Sequence, residues 1–139
     1  MKLVDFIICD DIRFEIGEKH TLVGLYGDIN FTQRKGQKPV LPAMIKLGIF
    51  IRCIVDKKAE NPDAFLLELL HDTKGKLAQV EGALVIPEAV KYINLALVNN
   101  YVIPDVGKII FKLHLFKEKK EVDCIEPVYT FEVKIIEEK

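Results

Sequence analysis

No stretch of this chain is long enough to cross a bilayer as a helix. The longest apolar run, Leu47 to Val55, is interrupted by Arg52 and falls well short of the roughly 20 residues a spanning helix needs. A secretory signal is not expected either, because Asp5, Asp10 and Asp11 break the apolar N-terminal run before a signal core can form. Cysteine is scarce: Cys9, Cys53 and Cys124 are widely spaced, with no CxxC or CxxH pattern. That spacing supports neither a zinc knuckle nor a thioredoxin-like site. Each cysteine has apolar neighbours, as in Ile7-Ile8-Cys9, and the expectation is reduced, buried thiols. Together these absences predict a cytoplasmic protein with no membrane partner.

An excess of one charge is also lacking. Lys and Arg number 20 against 21 Asp and Glu, a net charge of −1. The balance is even along the chain: residues 1–70 carry ten of each sign, and residues 71–139 carry ten basic and eleven acidic. Only three residues are Arg. Neither a general polyanion binder nor a nucleic-acid partner is expected from such a composition.

What the chain does have is length and apolar content. Its 139 residues are 50% hydrophobic and 29% charged, the profile of a folded chain that can bury a sizeable core without disulfides or metal. No linker or internal repeat is visible, so residues 1–139 read as a single domain.

The dominant pattern has a period of two. Ile45, Leu47, Ile49, Ile51, Cys53 and Val55 are all apolar, and Lys46, Gly48 and Arg52 lie between them. A strand turns those two sets to opposite faces, so the apolar set is expected as the buried face of a central strand. Ile12–Ile16, Phe111–Leu115 and Tyr129–Ile135 alternate in the same way. Turn signals separate these runs: Gly17-Glu18-Lys19, Asp72-Thr73-Lys74-Gly75, and the charged tip Lys117–Glu121. Gly75 suits a turn that needs positive φ. Residues 62–71 support two readings. Asn61-Pro62-Asp63 resembles a helix start, whereas the hairpin partner across Gly75 favours a strand.

Several segments also resemble a known family. Cys9-Asp10-Asp11-Ile12-Arg13, Gly17-Glu18-Lys19 and Leu22-Val23-Gly24-Leu25-Tyr26-Gly27 are similar to the opening of a family of small bacterial proteins with no assigned activity. Leu41-Pro42 ahead of the long strand fits that pattern, and Gly107–Leu113 resembles the late strands of immunoglobulin-like sandwiches. The alternating runs and their turn spacing predict an all-β fold of about eight or nine mostly antiparallel strands, and the resemblance implies a bacterial origin and that this fold is an immunoglobulin-like β-sandwich. It contains no catalytic motif and implies no functional residue.

Chemistry-bearing residues are few and scattered. Asp10 and Asp11 form a carboxylate pair at an expected strand break, where Ca²⁺ or backbone amides are the alternative partners. His20, His71 and His114 stand alone and read as surface histidines. Thr32–Lys38 is a basic loop without aromatic residues for base stacking. Leu66-Leu67-Glu68-Leu69-Leu70 matches a receptor-docking helical peptide, but a Leu-rich core segment matches it equally well. No nucleophile setting, cofactor loop or metal spacing is present, so no catalytic, cofactor or metal residue is assigned. The function expected is a non-catalytic protein-interaction or accessory module. A small-ligand-binding sandwich is the alternative, and an enzyme the less favoured one. In the first strand, Leu3 to Ile8 carries apolar groups on both faces. Val4, Phe6 and Ile8 are therefore the expected interaction surface, with a second copy as a candidate partner. The last strand, Val128 to Ile136, has Pro127 before it and Lys134 within it, and reads as a protected edge.

Overall fold

The computed structural model describes residues 1–55, 61–88, 90–128 and 130–138. It contains ten strands: β1 (Lys2–Glu15), β2 (Lys19–Tyr26), β3 (Ile29–Arg34), β4 (Ala43–Ile54), β5 (Ala64–His71), β6 (Gly75–Ala83), β7 (Tyr92–Ile103), β8 (Gly107–Lys117), β9 (Lys120–Ile125) and β10 (Phe131–Glu138). The described residues contain no helix, so none is long and apolar enough to cross a membrane.

Two sheets carry the fold. The first is entirely antiparallel, in the order β2-β1-β4-β7. The second runs β3-β10-β8-β5-β6, and β9 pairs the C-terminal half of β8 on the side where β10 pairs its start. The one parallel pair is β3 with β10. One apolar cluster draws on both sheets: Phe6, Ile8, Leu47, Ile49 and Ile51 from the first, Leu67, Leu69, Phe111, Leu113 and Phe131 from the second. Phe111 sits at its centre, with ring centroids 5.4 Å from Phe6 and 5.5 Å from Phe131. Burying one such large apolar side chain contributes about 1.5–3 kcal/mol.

The alternation of β4 is realised as expected. Leu47, Ile49, Ile51 and Cys53 are buried between the sheets, Ile45 is half-buried, Lys46 is exposed and Arg52 half-buried on the other side. Residues 64–71 form a strand, so the helix-start signal at Asn61 is overridden. Pairing with β6 and β8 on either side supplies the backbone of β5 with hydrogen-bond partners along its length. Gly17 and Gly75 both take positive φ in their turns, at 84° and 76°.

Three expectations need correction. Asp10 and Asp11 do not break a strand, because β1 runs unbroken from Lys2 to Glu15. The strand changes partner instead of direction: β4 pairs Lys2–Cys9, and β2 pairs Ile8–Glu15. The last strand is not an edge, since β10 lies between β3 and β8. Its Lys134 pairs with Asp28 at 2.9 Å, so the charge serves a contact with the bend before β3. The strand count exceeds nine because Ile29–Arg34, read in part as a polar loop, adds to β10 from far away in sequence. Tyr129 and the polar stretch 56–60 lie outside the described residues.

Gly48 marks how tightly the outer side of β4 is packed. A Cβ there would lie 2.9 Å from Cys9 Sγ and 2.9 Å from Ile12 Cγ1. Gly48→Ala is expected to cost about 1–3 kcal/mol by overpacking, read as a lower urea midpoint. An unchanged midpoint would mean that Cys9 and Ile12 move aside freely.

Candidate functional site

The outward face of the first sheet is unusual in carrying apolar groups. Cys9, Ile12 and Phe50 are buried there in a second, smaller cluster, and Ile7, Leu22, Ala96 and Val98 pack against it. Pairing explains the placement: Ile7 faces Phe50 across β1 and β4, Phe50 faces Ala96 across β4 and β7, and Gly48 faces Val98. Opposed residues of an antiparallel pair share a face, so an apolar stripe crosses the sheet. His20 extends it, with its ring 5.2 Å from Phe14 and 5.7 Å from Phe50.

This stripe ends at β7, an edge strand. β7 pairs β4 over its whole 12 residues, and no strand lies on its other side among the described residues. Tyr92 to Ile103 contains no charged residue, Pro or Gly. Soluble proteins usually blunt such an edge, and the other edges here are blunted. β2 contains Gly24 at φ 67°. β3 has only 6 residues and ends in Arg34, and β9, paired by β8 alone, has 6 residues and carries Lys120, Glu121 and Asp123. β6 carries Lys76 and Glu81 and lies against a register shift between Leu69 and Leu70. The inner side chains of β7, Ile93, Leu95, Leu97, Tyr101 and Ile103, belong to the main core. The Tyr101 hydroxyl is enclosed without a hydrogen bond, with Asn99 as the polar group beside it, and burial pushes its phenol up.

At the start of β7 the same face opens into a cleft of about 1160 Å³, bounded by the β1–β2 turn, by Leu84, Val85, Ile86 and Pro87, and by Val90. Arg52 lines it. Its Nε donates to Asn94 Oδ1 at 2.9 Å, and its guanidinium lies 5.7 Å from the Phe50 ring centroid and 4.9 Å from that of Tyr92.

The residues singled out in the sequence are dispersed. Phe6 and Ile8 point into the main core and are 5% and 0% exposed, whereas Val4 is 48% exposed. The register of β1 against β4 shifts between Leu3 and Asp5, and Val4 sits in that irregularity. The opposite sheet covers Phe6 and Ile8, so these three side chains do not form one open surface. Asp10 and Asp11 also part: Asp10 accepts a short hydrogen bond from the Tyr26 hydroxyl, and Asp11 pairs with Lys46 at 3.0 Å. Among the described residues no three His, Cys, Asp or Glu groups gather as metal ligands.

His71 is not a surface histidine. It is 3% exposed, and its Nδ1 accepts from the backbone N–H groups of Thr73 and Lys74. That leaves Nε2 to donate to the Asp105 carbonyl at 3.2 Å, so the ring ties two turns together. His114 lies between the carboxylates of Glu68 and Glu121; the contact with His114, then one with Lys76, holds the Glu68 carboxyl below its usual range. In the basic loop, Arg34 pairs with Glu138 at 3.1 Å, and the Gln33 amide donates to the carbonyls of Gln37 and Lys38. Cys9 and Cys53 are buried as expected, but Cys124 is exposed on β9. Burial pushes the Cys53 thiol up to about 11. Sequence reading missed β7 as an edge and Arg52 as a cleft residue. Two signals were present: an uncharged run of strand length, and a lone cation inside an apolar alternation.

Neither a protein-family model nor a curated protein sequence matches the chain.

The hydrogen bond to Asp10, with burial, pushes the Tyr26 phenol up to about 12. A raised folded value favours the neutral phenol. The stability it contributes is complete below the ordinary phenol range near pH 10 and is lost as pH climbs through about 12. In a tyrosinate absorbance titration, Asp10→Asn is expected to bring one phenol back towards its ordinary range. An unchanged curve would remove Asp10 as the cause.

Proposed function

We propose that this protein is a non-catalytic protein-interaction module, a single immunoglobulin-like β-sandwich domain that binds by strand addition at β7. The observation that carries the reading is the uncharged edge of 12 residues beside four edges, β2, β3, β6 and β9, that are short, charged or kinked. Peptide N–H and C=O groups on such an edge are satisfied only by water until another strand pairs them. The non-catalytic part is supported by how the titratable groups are engaged. Asp10, His71 and His114 each hold a structural partner, and they lie on different parts of the fold. The unbridged thiols Cys9 and Cys53 and the resemblance noted above favour a bacterial cytoplasm.

A second copy is the occupant we favour. β7 carries no charge to repel its own image. Antiparallel pairing of two β7 strands about Val98 keeps odd-numbered residues on the core face. Ile93 then meets Ile103 of the second copy, and Leu95 meets its Tyr101. The apolar stripe through Phe50, Ala96 and Val98 continues across the junction. Other copies of the same chain supply this match without a separate partner.

Light scattering at micromolar concentration is expected to give twice the chain mass. Val102→Lys with Asn100→Lys places charge on two exposed positions of β7 and is expected to weaken dimerisation at least roughly tenfold without lowering Tm. Leu25→Lys on the β2 edge, where the side chain is 64% exposed, is expected to leave the dimer intact. A monomer throughout would remove the second copy as partner, and a dimer sensitive only to Leu25→Lys would move the interface to β2.

A further inference from the structure

We propose that the cleft at the start of β7 binds a small amphiphilic carboxylate, a monoanion with an aromatic or aliphatic body, through the guanidinium of Arg52. This goes beyond the strand-addition reading and rests on different observations.

The first is how Arg52 is held. It stands on the outward face of β4, opposite Asn94 on β7 and Asp5 on β1. Asn94 takes its Nε, while Phe50 and Tyr92 lie near its planar group. Arg is weakly hydrated and stacks on aromatic faces, so these rings fix the plane with little desolvation cost. With Nε occupied, the remaining donors are the two terminal nitrogens. They form the end-on fork that matches the two oxygens of a carboxylate. Asp5 does not take that place: no ion pair with Arg52 forms among the described residues, although the two face each other in register.

The second observation is the space beside the fork. The cleft of about 1160 Å³ slightly exceeds the usual size of small-molecule sites, about 300–1,000 Å³, and so has room for a ligand body beside Arg52. One wall is the apolar segment Leu84-Val85-Ile86-Pro87. Val85 is 89% exposed and Tyr92 50% exposed, so apolar surface is available to the body of a ligand. Apolar side chains at that exposure, next to a cation with no carboxylate partner among the described residues, are a pairing that an amphiphile satisfies at both ends.

The third is charge. Lys19, Arg52 and Lys91 line the cleft against Asp5 and Glu18, an excess of one formal positive charge among its Lys, Arg, Asp and Glu residues. One excess charge suits a monoanion. A phosphate dianion would turn that excess into one net negative charge beside Asp5 and Glu18.

The test is an amide NMR titration of the full chain with 4-phenylbutyrate, alongside its uncharged amide and inorganic phosphate. The carboxylate is expected to saturate shifts at Arg52, Tyr92 and Leu84–Ile86, with a dissociation constant on the order of 0.1 mM. The amide is expected to bind at least roughly tenfold more weakly, and phosphate to leave the apolar segment unshifted. Arg52→Met is expected to cost roughly tenfold or more in affinity. Arg52→Lys should recover only part of it, because a point charge lacks the fork. Tyr92→Ser, at a half-exposed ring, gives a second variant if Arg52→Met does not fold, and should also weaken binding. Equal binding of acid and amide, equal binding of phosphate, full affinity in Arg52→Met, or no shift at millimolar ligand would each overturn the proposal.

Discussion

The structure depends on closing two sheets over one aromatic stack, Phe6, Phe111 and Phe131. Phe111 is fully buried and lies between a ring of the first sheet and one of its own sheet. Aromatic pairs at such distances gain from edge and offset geometry as well as from area. With that stack closed, the odd-numbered side chains of β4 have only one place to go. Leu47, Ile49 and Ile51 must face inward, and Gly48, Phe50 and Arg52 must then face outward. The surface available for function is therefore a consequence of the core register. A slip of one residue would exchange the two sets entirely.

Because the register is so constrained, the outer face of the first sheet concentrates what is unusual about the molecule. A second apolar cluster around Phe50, an uncharged edge and a cleft with a held guanidinium adjoin one another along β4 and β7. The outward groups of the second sheet are different in kind. There His114 joins Glu68 and Glu121, and Lys76 joins Glu68. Charge ladders of this sort keep a sheet face wet and separate from other chains. The two faces differ: one carries charge pairs, and the other carries apolar surface and ends in a strand that has no second neighbour among the described residues.

Buried polar groups reinforce the arrangement. His71 uses both ring nitrogens on backbone groups of two turns, Thr73–Lys74 and Asp105. Such side-chain-to-backbone bonds satisfy groups that a turn would otherwise leave bare. Gln33 does the same for the loop before β4 by bonding Gln37, Lys38 and Val40. Residues that looked like candidate chemistry in the sequence are largely spent on holding connections between strands.

The sequence by itself determined the class of the protein. Period-two alternation in Ile45–Val55, Phe111–Leu115 and Phe131–Ile135 made these strands legible, as did glycines at turns such as Gly75, because both signals are local. Which strands meet is a different kind of information. The parallel pairing of β3 with β10 joins residues at opposite ends of the chain, and no local pattern specifies it. The same holds for Val4, Phe6 and Ile8, whose apolar character was plain but whose cover was not. A bulge and the opposite sheet decide that two are inside and one is out. Edge status is likewise a property of neighbours, so β10, with a Lys and a preceding Pro, proved interior while the uncharged β7 proved an edge. Arg52 was visible as a lone cation, but its two rings and its cleft come from β4, β7 and the segment before β7. Only tertiary packing could bring them together.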